Sequence, residues 1–193
     1  MAQEKLQNLI SAKLGASVRS MEAMKNNDLM VVLDLKDFIA SLGTLKNDPA
    51  LGFSTLMNHL GVDYGDRMAV IYNLYSQVHR AKITVRVFLD RKQPEIPSLE
   101  RAFPGIGWYE RETFDLLGIR FTGHSNMKRL LLPEDWEGYP LRKDYVYPTS
   151  YNGIETARED LLDCGLSNAE CGVSETIEHI TTLNPKSAIR NPK

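Results

Sequence analysis

Cysteine is scarce, with two in 193 residues, too few for the disulfide framework that holds a small secreted domain together. The spacing Cys164-x6-Cys171 matches neither a zinc nor a redox motif, so a reducing, cytoplasmic compartment is expected. An excess of one charge is also missing: the formal net charge is −2, no field for a phosphate backbone, and nucleic acid is not an expected partner. Long apolar runs are absent as well. Met1 to Ile10 is polar where a signal peptide needs an apolar core, and export by that route is not expected. The best uncharged run, Met68 to His79, falls well short of the roughly 20 residues of a membrane-spanning helix. Any membrane contact is therefore expected to run through partners.

The motifs of cofactor chemistry are missing too. There is no Walker loop, and Gly105-Ile-Gly107 starts like a dinucleotide fingerprint but has Glu110 in place of the third glycine and follows prolines instead of a strand. His59, His79, His124 and His179 have no second ligand at helical spacing, and Cys164, Cys171 and His179 do not make a zinc pattern. Glu112 and Asp115 stand three apart, on one face if their segment is helical, and such a pair can divide acid and base roles. Arg111, Lys128, Arg129, Arg142 and Lys143 surround them in sequence, so a charge network is the better reading.

What is present fits a folded domain with a tail: 42% of the residues are apolar. Leu6, Leu9, Ile10 and Leu14 recur at helical spacing before Gly15, which predicts a helix over 2–14. Ser17 to Met21 and Leu29 to Leu35 are β-compatible around Asn26-Asn27-Asp28, a turn signature, and predict a hairpin. Phe38, Ile39 and Leu42 predict a helix broken near Asn47-Asp48-Pro49 and resumed through Leu51, Leu56, Met57 and Leu60, with Gly61 as its end. Met68 to Tyr75 and Ile83 to Leu89, rich in β-branched and aromatic residues, predict central strands. Pro94, Pro97 and Pro104 predict an irregular crossover, and Ile106 to Leu117 a helix ending at Gly118. Together these give a two-layer α+β unit. Beyond Tyr145 the chain is turn-rich, a short helix at most is expected within Ile154 to Leu166, and the last residues hold too little apolar surface to order themselves.

From Trp108 to Tyr145 charge, aromatics, Gly and Pro are crowded together without the spacing of an active site, which suggests a docking surface. Trp136 lies between Pro133 and Pro140, which stiffen the backbone and reduce the entropy lost on binding. Trp and Arg are favoured interface anchors, although an indole is often buried in its own fold. Arg142 and Lys143, beside Asp144, make either exposed pairs worth ~0–1 kcal/mol or contacts desolvated against a partner.

Glu110-Arg-Glu112, Asp115-Leu-Leu-Gly-Ile119, Gly123-His124, Leu131-Leu-Pro-Glu-Asp-Trp-Glu-Gly138 and Pro140-Leu-Arg-Lys-Asp-Tyr145 closely resemble the thirty-kilodalton subunit family of respiratory complex I, in bacteria the C-type subunit of the NADH:quinone oxidoreductase (NDH-1). The resemblance covers roughly residues 5–150, with Val62-Asp-Tyr64, Tyr72-Asn-Leu-Tyr-Ser76 and Pro97-Ser-Leu99 as further landmarks. It implies a two-layer α+β domain with a mixed β-sheet and helices packed on it, followed by an extended C-terminal segment, divided at 1–122 and 123–193. It also implies a non-catalytic assembly subunit in the peripheral arm of a proton-translocating enzyme, on the cytoplasmic face of the inner (cell) membrane. Members of the family dock on the forty-nine-kilodalton (D-type) subunit, beside cluster-bearing neighbours, and support electron transfer to quinone. They hold no cofactor; FMN or another input cofactor, iron–sulfur clusters and quinone belong to partner subunits. Glu110, Arg111, Glu112, Asp115, His124, Arg129, Trp136, Arg142, Lys143 and Asp144 would be the structural or partner-binding residues.

The sequence departs from the family in two places. Ser125-Asn126-Met127-Lys128-Arg129 replaces a Pro and a Leu-Arg-Arg-like run, and Phe103 stands where an indole is usual. Beyond about residue 152 the chain matches nothing in the family. Two alternatives stay open: the equivalent subunit of a membrane-bound hydrogenase or of a ferredoxin- or deazaflavin-linked dehydrogenase, and a free-standing enzyme using Glu112 and Asp115.

Overall fold

A computed structural model describes residues 2–24 and 28–155. The described residues fall into two units, divided between Tyr145 and Val146. The first unit begins with α1 (Ala2–Leu14), a short 3-10 turn, and the strands β1 (Val18–Ala23) and β2 (Leu29–Leu33). It continues through α2 (Phe38–Asn47), β3 (Thr55–Asp63), β4 (Arg67–Ser76), β5 (Ala81–Asp90), β6 (Glu95–Pro97), α3 (Ile106–Leu117) and β7 (Arg120–Thr122).

The main sheet has the order β1-β2-β5-β4-β3. β2 and β5 run parallel and the other pairs antiparallel, so the sheet is mixed. The parallel pair follows from connectivity, because α2 and the β3–β4 hairpin carry the chain away before β5 returns. One sheet face carries Leu29, Val31 and Leu33 with Val70, Tyr72, Leu74, Ile83, Val85 and Val87, all buried. Leu6 and Ile10 of α1, Phe38, Leu42 and Leu45 of α2, and Ile106 and Leu117 of α3 join them in one core. The α+β two-layer expectation is met, and the helices over 2–14 and 106–117, the strand pair before residue 34 and the two central strands form as expected. The hairpin turn near 25–27 and the segment 156–166 lie outside the described residues.

The expectation of helix from Leu51 through Leu60 is wrong: residues 55–63 are the edge strand β3, paired with β4 from Thr55↔Tyr75 to Asp63↔Met68. A register shift between Leu56 and Asn58 breaks the period-2 alternation that would have marked a strand, leaving Leu56 and Leu60 at a helix-like spacing. Gly61 ends nothing. A Cβ there would lie 2.6 Å from Leu117 Cδ1 and 2.7 Å from Thr113 Cγ2, so its missing side chain is what lets α3 settle on β3. The proline-rich crossover contains one short strand, β6, which pairs in parallel with β7 and delivers the chain to α3. In the second unit, β8 (Ser150–Tyr151) and β9 (Ile154–Glu155) form a small antiparallel hairpin.

Candidate functional site

α3 is amphipathic: Ile106, Glu110, Thr113, Asp115 and Leu117 are buried, while Trp108, Tyr109 and Glu112 face solvent. The segment 123–145 returns across this helix without regular structure, so its backbone must find partners other than a ladder. Charged side chains supply many of them. Asp115, fully buried, accepts hydrogen bonds at Oδ2 from the backbone N–H groups of Leu130, Leu131 and Leu132 at 3.0, 2.7 and 2.9 Å. Its Oδ1 accepts from Arg129 Nη1 at 2.8 Å. Burial opposes ionisation of this carboxyl, but the N–H of Leu132, the guanidinium and the other two N–H groups outweigh it and hold it below the usual carboxylate range. Arg129 Nη2 in turn donates to the carbonyls of Trp136 and Gly138 at 2.8 and 3.2 Å.

Arg111 donates to the carbonyls of Lys128 and Arg129 and lies 5.1 Å from the Trp108 ring. Farther along, Arg142 Nε donates to Leu117 O at 2.7 Å, at the C-terminus of α3, where a cation suits the helix dipole. Its guanidinium stacks 4.7 Å from the Tyr139 ring. Gly118 caps the helix at φ +73°, and a Cβ there would meet Tyr139 Cε2 at 2.5 Å and Arg142 Nη2 at 2.6 Å. The segment ends on the β3–β4 turn: Asp63 Oδ2 accepts the Lys143 N–H at 3.0 Å, and Arg91 bridges Asp63 Oδ1 at 2.9 Å and Asp144 Oδ1 at 2.7 Å. Burial pushes Asp63 up, yet the N–H groups of Lys143 and Gly65 and the Arg91 charge bring it below its ordinary value.

The other end of the segment is held at the first turn of α3. Glu100 accepts from Ser125 N at 2.8 Å and Ser125 Oγ at 2.7 Å. His124 Nδ1 accepts from Asn126 N–H at 3.0 Å, which leaves Nε2 to donate to Gly107 O at 3.1 Å. These bonds fix the turn in which the family's proline is missing. Glu110 is buried beneath it, accepting from Ser98 Oγ at 2.6 Å and Leu99 N at 2.8 Å. Burial raises its pKa, and the two hydrogen bonds pull the other way.

The ten residues expected from sequence therefore divide. Arg111, Asp115, His124, Arg129 and Arg142 fasten the segment to the domain with their own side chains, Lys143 does so through its backbone, and Glu110 instead ties α3 to Ser98 and Leu99. Trp136 is half-buried, with its carbonyl on Arg129. Glu112, Lys143 and Asp144 present exposed side chains, Asp144 while paired to Arg91. Sequence reasoning missed Asp63, Arg91, Glu100 and Tyr139; of these only Asp63 lay in a recognised landmark. It also passed over Trp108 and Leu131, which are 63% and 62% exposed. Because Asp115 is buried with four hydrogen bonds to this chain while Glu112 is exposed, the two do not form an acid–base dyad. Among the described residues no group of three His, Cys, Asp or Glu side chains is placed to hold a metal ion, and no helix is long and apolar enough to cross a membrane. Cys164, Cys171 and His179 lie outside the described residues.

Comparison with known proteins gives consistent matches. The family described as respiratory-chain NADH dehydrogenase, 30 Kd subunit, matches residues 31–151. The C-type subunit of NADH-quinone oxidoreductase from Chloroherpeton thalassium is 40% identical over 152 residues, 76% of this chain and 62% of that protein. Its counterpart in Roseiflexus sp. (strain RS-1) is 45% identical over 61% of this chain and 69% of its own length. That of Acidithiobacillus ferrooxidans (strain ATCC 53993) is 37% identical over 75% of each. The chain thus spans 62% of the length of the first of these relatives. Among solved structures, a trypsin-resistant fragment (1-134) of Nqo5 superposes with a TM-score of 0.55 at 28% identity, covering 65% of this chain and 99% of the fragment. A chain of an archaeal membrane-bound sulfane sulfur reductase shares the fold, with a TM-score of 0.62 at 15% identity over 100% of this chain and 97% of that one.

Proposed function

The chain belongs to the thirty-kilodalton subunit family of respiratory-chain NADH dehydrogenase, and from that premise we propose that it is a non-catalytic assembly subunit of a complex I-type, proton-translocating NADH:quinone oxidoreductase. In this reading it sits in the peripheral arm, at the cytoplasmic face of the cell membrane, and docks on the forty-nine-kilodalton (D-type) subunit beside cluster-bearing neighbours. FMN, iron–sulfur clusters and quinone are held by those partners, and the role of this chain is to keep the quinone-reducing subunit in place. The residues from 123 onward, set apart by sequence as the partner-embracing part, contribute a first portion, 123–145, that is fastened to α3.

The observation that carries this reading is the presence of two exposed apolar side chains, one stacked and one on anchored backbone. Trp108 and Leu131 are both more than three-fifths exposed. Yet Trp108 is stacked by Arg111, whose Nε and Nη2 donate to backbone carbonyls, and the Leu131 N–H is clamped by Asp115. Exposed apolar groups on backbone that is already anchored suit an interface, since less chain entropy is lost on docking. Glu112 on α3, and Lys143 and Asp144 at the far end of the segment, add exposed charge, where complementarity selects the partner.

The test is copurification from native membranes of tagged full-length chain bearing Trp108→Ala or Leu131→Ser. Each is expected to weaken retention of the D-type subunit by about 1–2 kcal/mol, on the order of tenfold, with the thermal unfolding midpoint of the isolated chain unchanged. Retention at the wild-type level in both variants would remove this surface from the docking role.

A further inference from the structure

The sheet has a second face, and no helix of the described residues in the first unit lies on it. Strand register places Met30 and Val32 of β2, Ile71, Asn73 and Tyr75 of β4, and Thr84, Arg86 and Phe88 of β5 on this side. α1, α2 and α3 all join the core on the other side. Arg86 stands near the middle, with Val32 beside it on one neighbouring strand and Ile71 on the other. Its guanidinium lies 5.9 Å from the Tyr64 ring and 5.8 Å from the Phe88 ring. Its Nε–H is shut off from solvent and meets no acceptor among the described residues. Every ion pair of the described residues involves other groups. The nearby Arg67, which stacks on Phe88 at 4.5 Å, already faces Asp66.

A half-buried guanidinium with an unmet donor in apolar surroundings is costly unless an acceptor is supplied. The aromatic rings orient the planar fork but cannot accept its hydrogen bonds. A carboxylate arriving with apolar neighbours would pair with the guanidinium through its terminal N–H groups, and the half-buried Ile71 and Phe88 beside it suit apolar side chains. Toward the other end of these strands is a depression whose lining includes Met24, Met57, Asn73 and Thr84, with Asp28 and Lys82 as its charged members. Its two exposed methionines can adapt to an irregular contact. A phospholipid surface is a poorer match, since such contacts draw on clustered cations, whereas here Glu22 and Asp90 accompany Arg67, Lys82 and Arg86 on the same side.

We propose that this face is a second protein-docking surface, and that its occupant is an apolar patch of another subunit carrying one Asp or Glu that pairs with Arg86. The proposal goes beyond the α3 surface, uses none of its residues, and stands or fails separately from it.

The test places a benzophenone amino acid at Tyr75, a half-buried aromatic on this face far along β4 from the turn that holds Lys143. Full-length chain carrying it is photolysed in native membranes and the adduct peptide is sequenced. The expected adduct is with a different polypeptide, at an apolar segment containing an Asp or Glu. Arg86→Glu should lower its yield by about thirtyfold or more, and changing the partner's acidic residue to Arg should restore it. Arg86→Gln serves for the loss where Arg86→Glu does not fold. An adduct with residues 146–193 of the same chain, with a second copy or with lipid, a yield unchanged by the Arg86 variants, or no adduct at all would overturn the proposal. Trp108→Ala, which acts only on the α3 surface, controls for loss of the whole complex.

Discussion

Replacing Asp115 by Asn keeps the shape of the side chain and removes the charge that Arg129 faces. The guanidinium would be left partly buried beside a neutral acceptor, and three N–H groups would lose an ionic one, so Asp115→Asn is expected to cost about 3–5 kcal/mol of stability. Glu112→Gln, three residues away on the exposed side, should change stability by no more than about 0.5 kcal/mol. Urea unfolding of both variants checks the contrast. Acid adds a second readout at residue scale. Burial lowers the His59 pKa to about 3, against roughly 6.5 in the unfolded chain. A base with a depressed folded pKa contributes stability that is present above the unfolded value and is lost as pH falls toward the folded one. Asp115 and Asp63, whose folded values are also lowered, follow the same sign below the ordinary Asp pKa of about 3.9. Stability is therefore expected to decline from about pH 6.5 downward, and His59→Phe, which keeps a ring against Tyr72 and Phe121, should flatten the decline between pH 6.5 and 4. An equal slope in the variant would mean that other groups carry it.

At the scale of elements, α3 and the segment that crosses it form one device, hinged on Gly118. Any side chain there is strained by the positive φ and collides with Tyr139 and Arg142. Gly118→Ala is expected to cost about 2–4 kcal/mol in total and to raise amide exchange at Leu141, whose N–H donates to Leu116 O. Arg142→Ala should likewise destabilise the domain, because it strips the carbonyl partner from Leu117, so it is a poor probe of docking alone. This is also where the sequence was hardest to read. α3 was legible because its apolar residues keep helical spacing up to a glycine, and β4 and β5 because they are rich in β-branched and aromatic residues. β3 was not, since a register shift gave its leucines the spacing of a helix. The charges of 108–145 suggested an outward, docking role. A loop that packs without a ladder needs its carbonyls and N–H groups met from within, and this demand turned Arg111, Asp115, Arg129 and Arg142 inward, while the exposed Trp108 and Leu131 were not singled out.

For the whole molecule, the same surface that steadies the segment also offers its anchors, and the proposed role is assembly instead of turnover. Asp115 is committed to Arg129 and three backbone N–H groups, which argues against a free-standing acid–base enzyme built on Glu112 and Asp115. The equivalent subunit of a hydrogenase or of a ferredoxin- or deazaflavin-linked dehydrogenase would share the fold, as the sulfane sulfur reductase chain does at 15% identity; the input subunits distinguish it. The most direct measurement is a mild-detergent isolation of the tagged full-length chain from its native membranes, with the copurifying subunits identified by mass and the eluate scanned for flavin and iron–sulfur absorbance. An assembly role predicts recovery of the D-type subunit with flavin- and cluster-bearing partners; a chain recovered alone, without those absorbances, would contradict it.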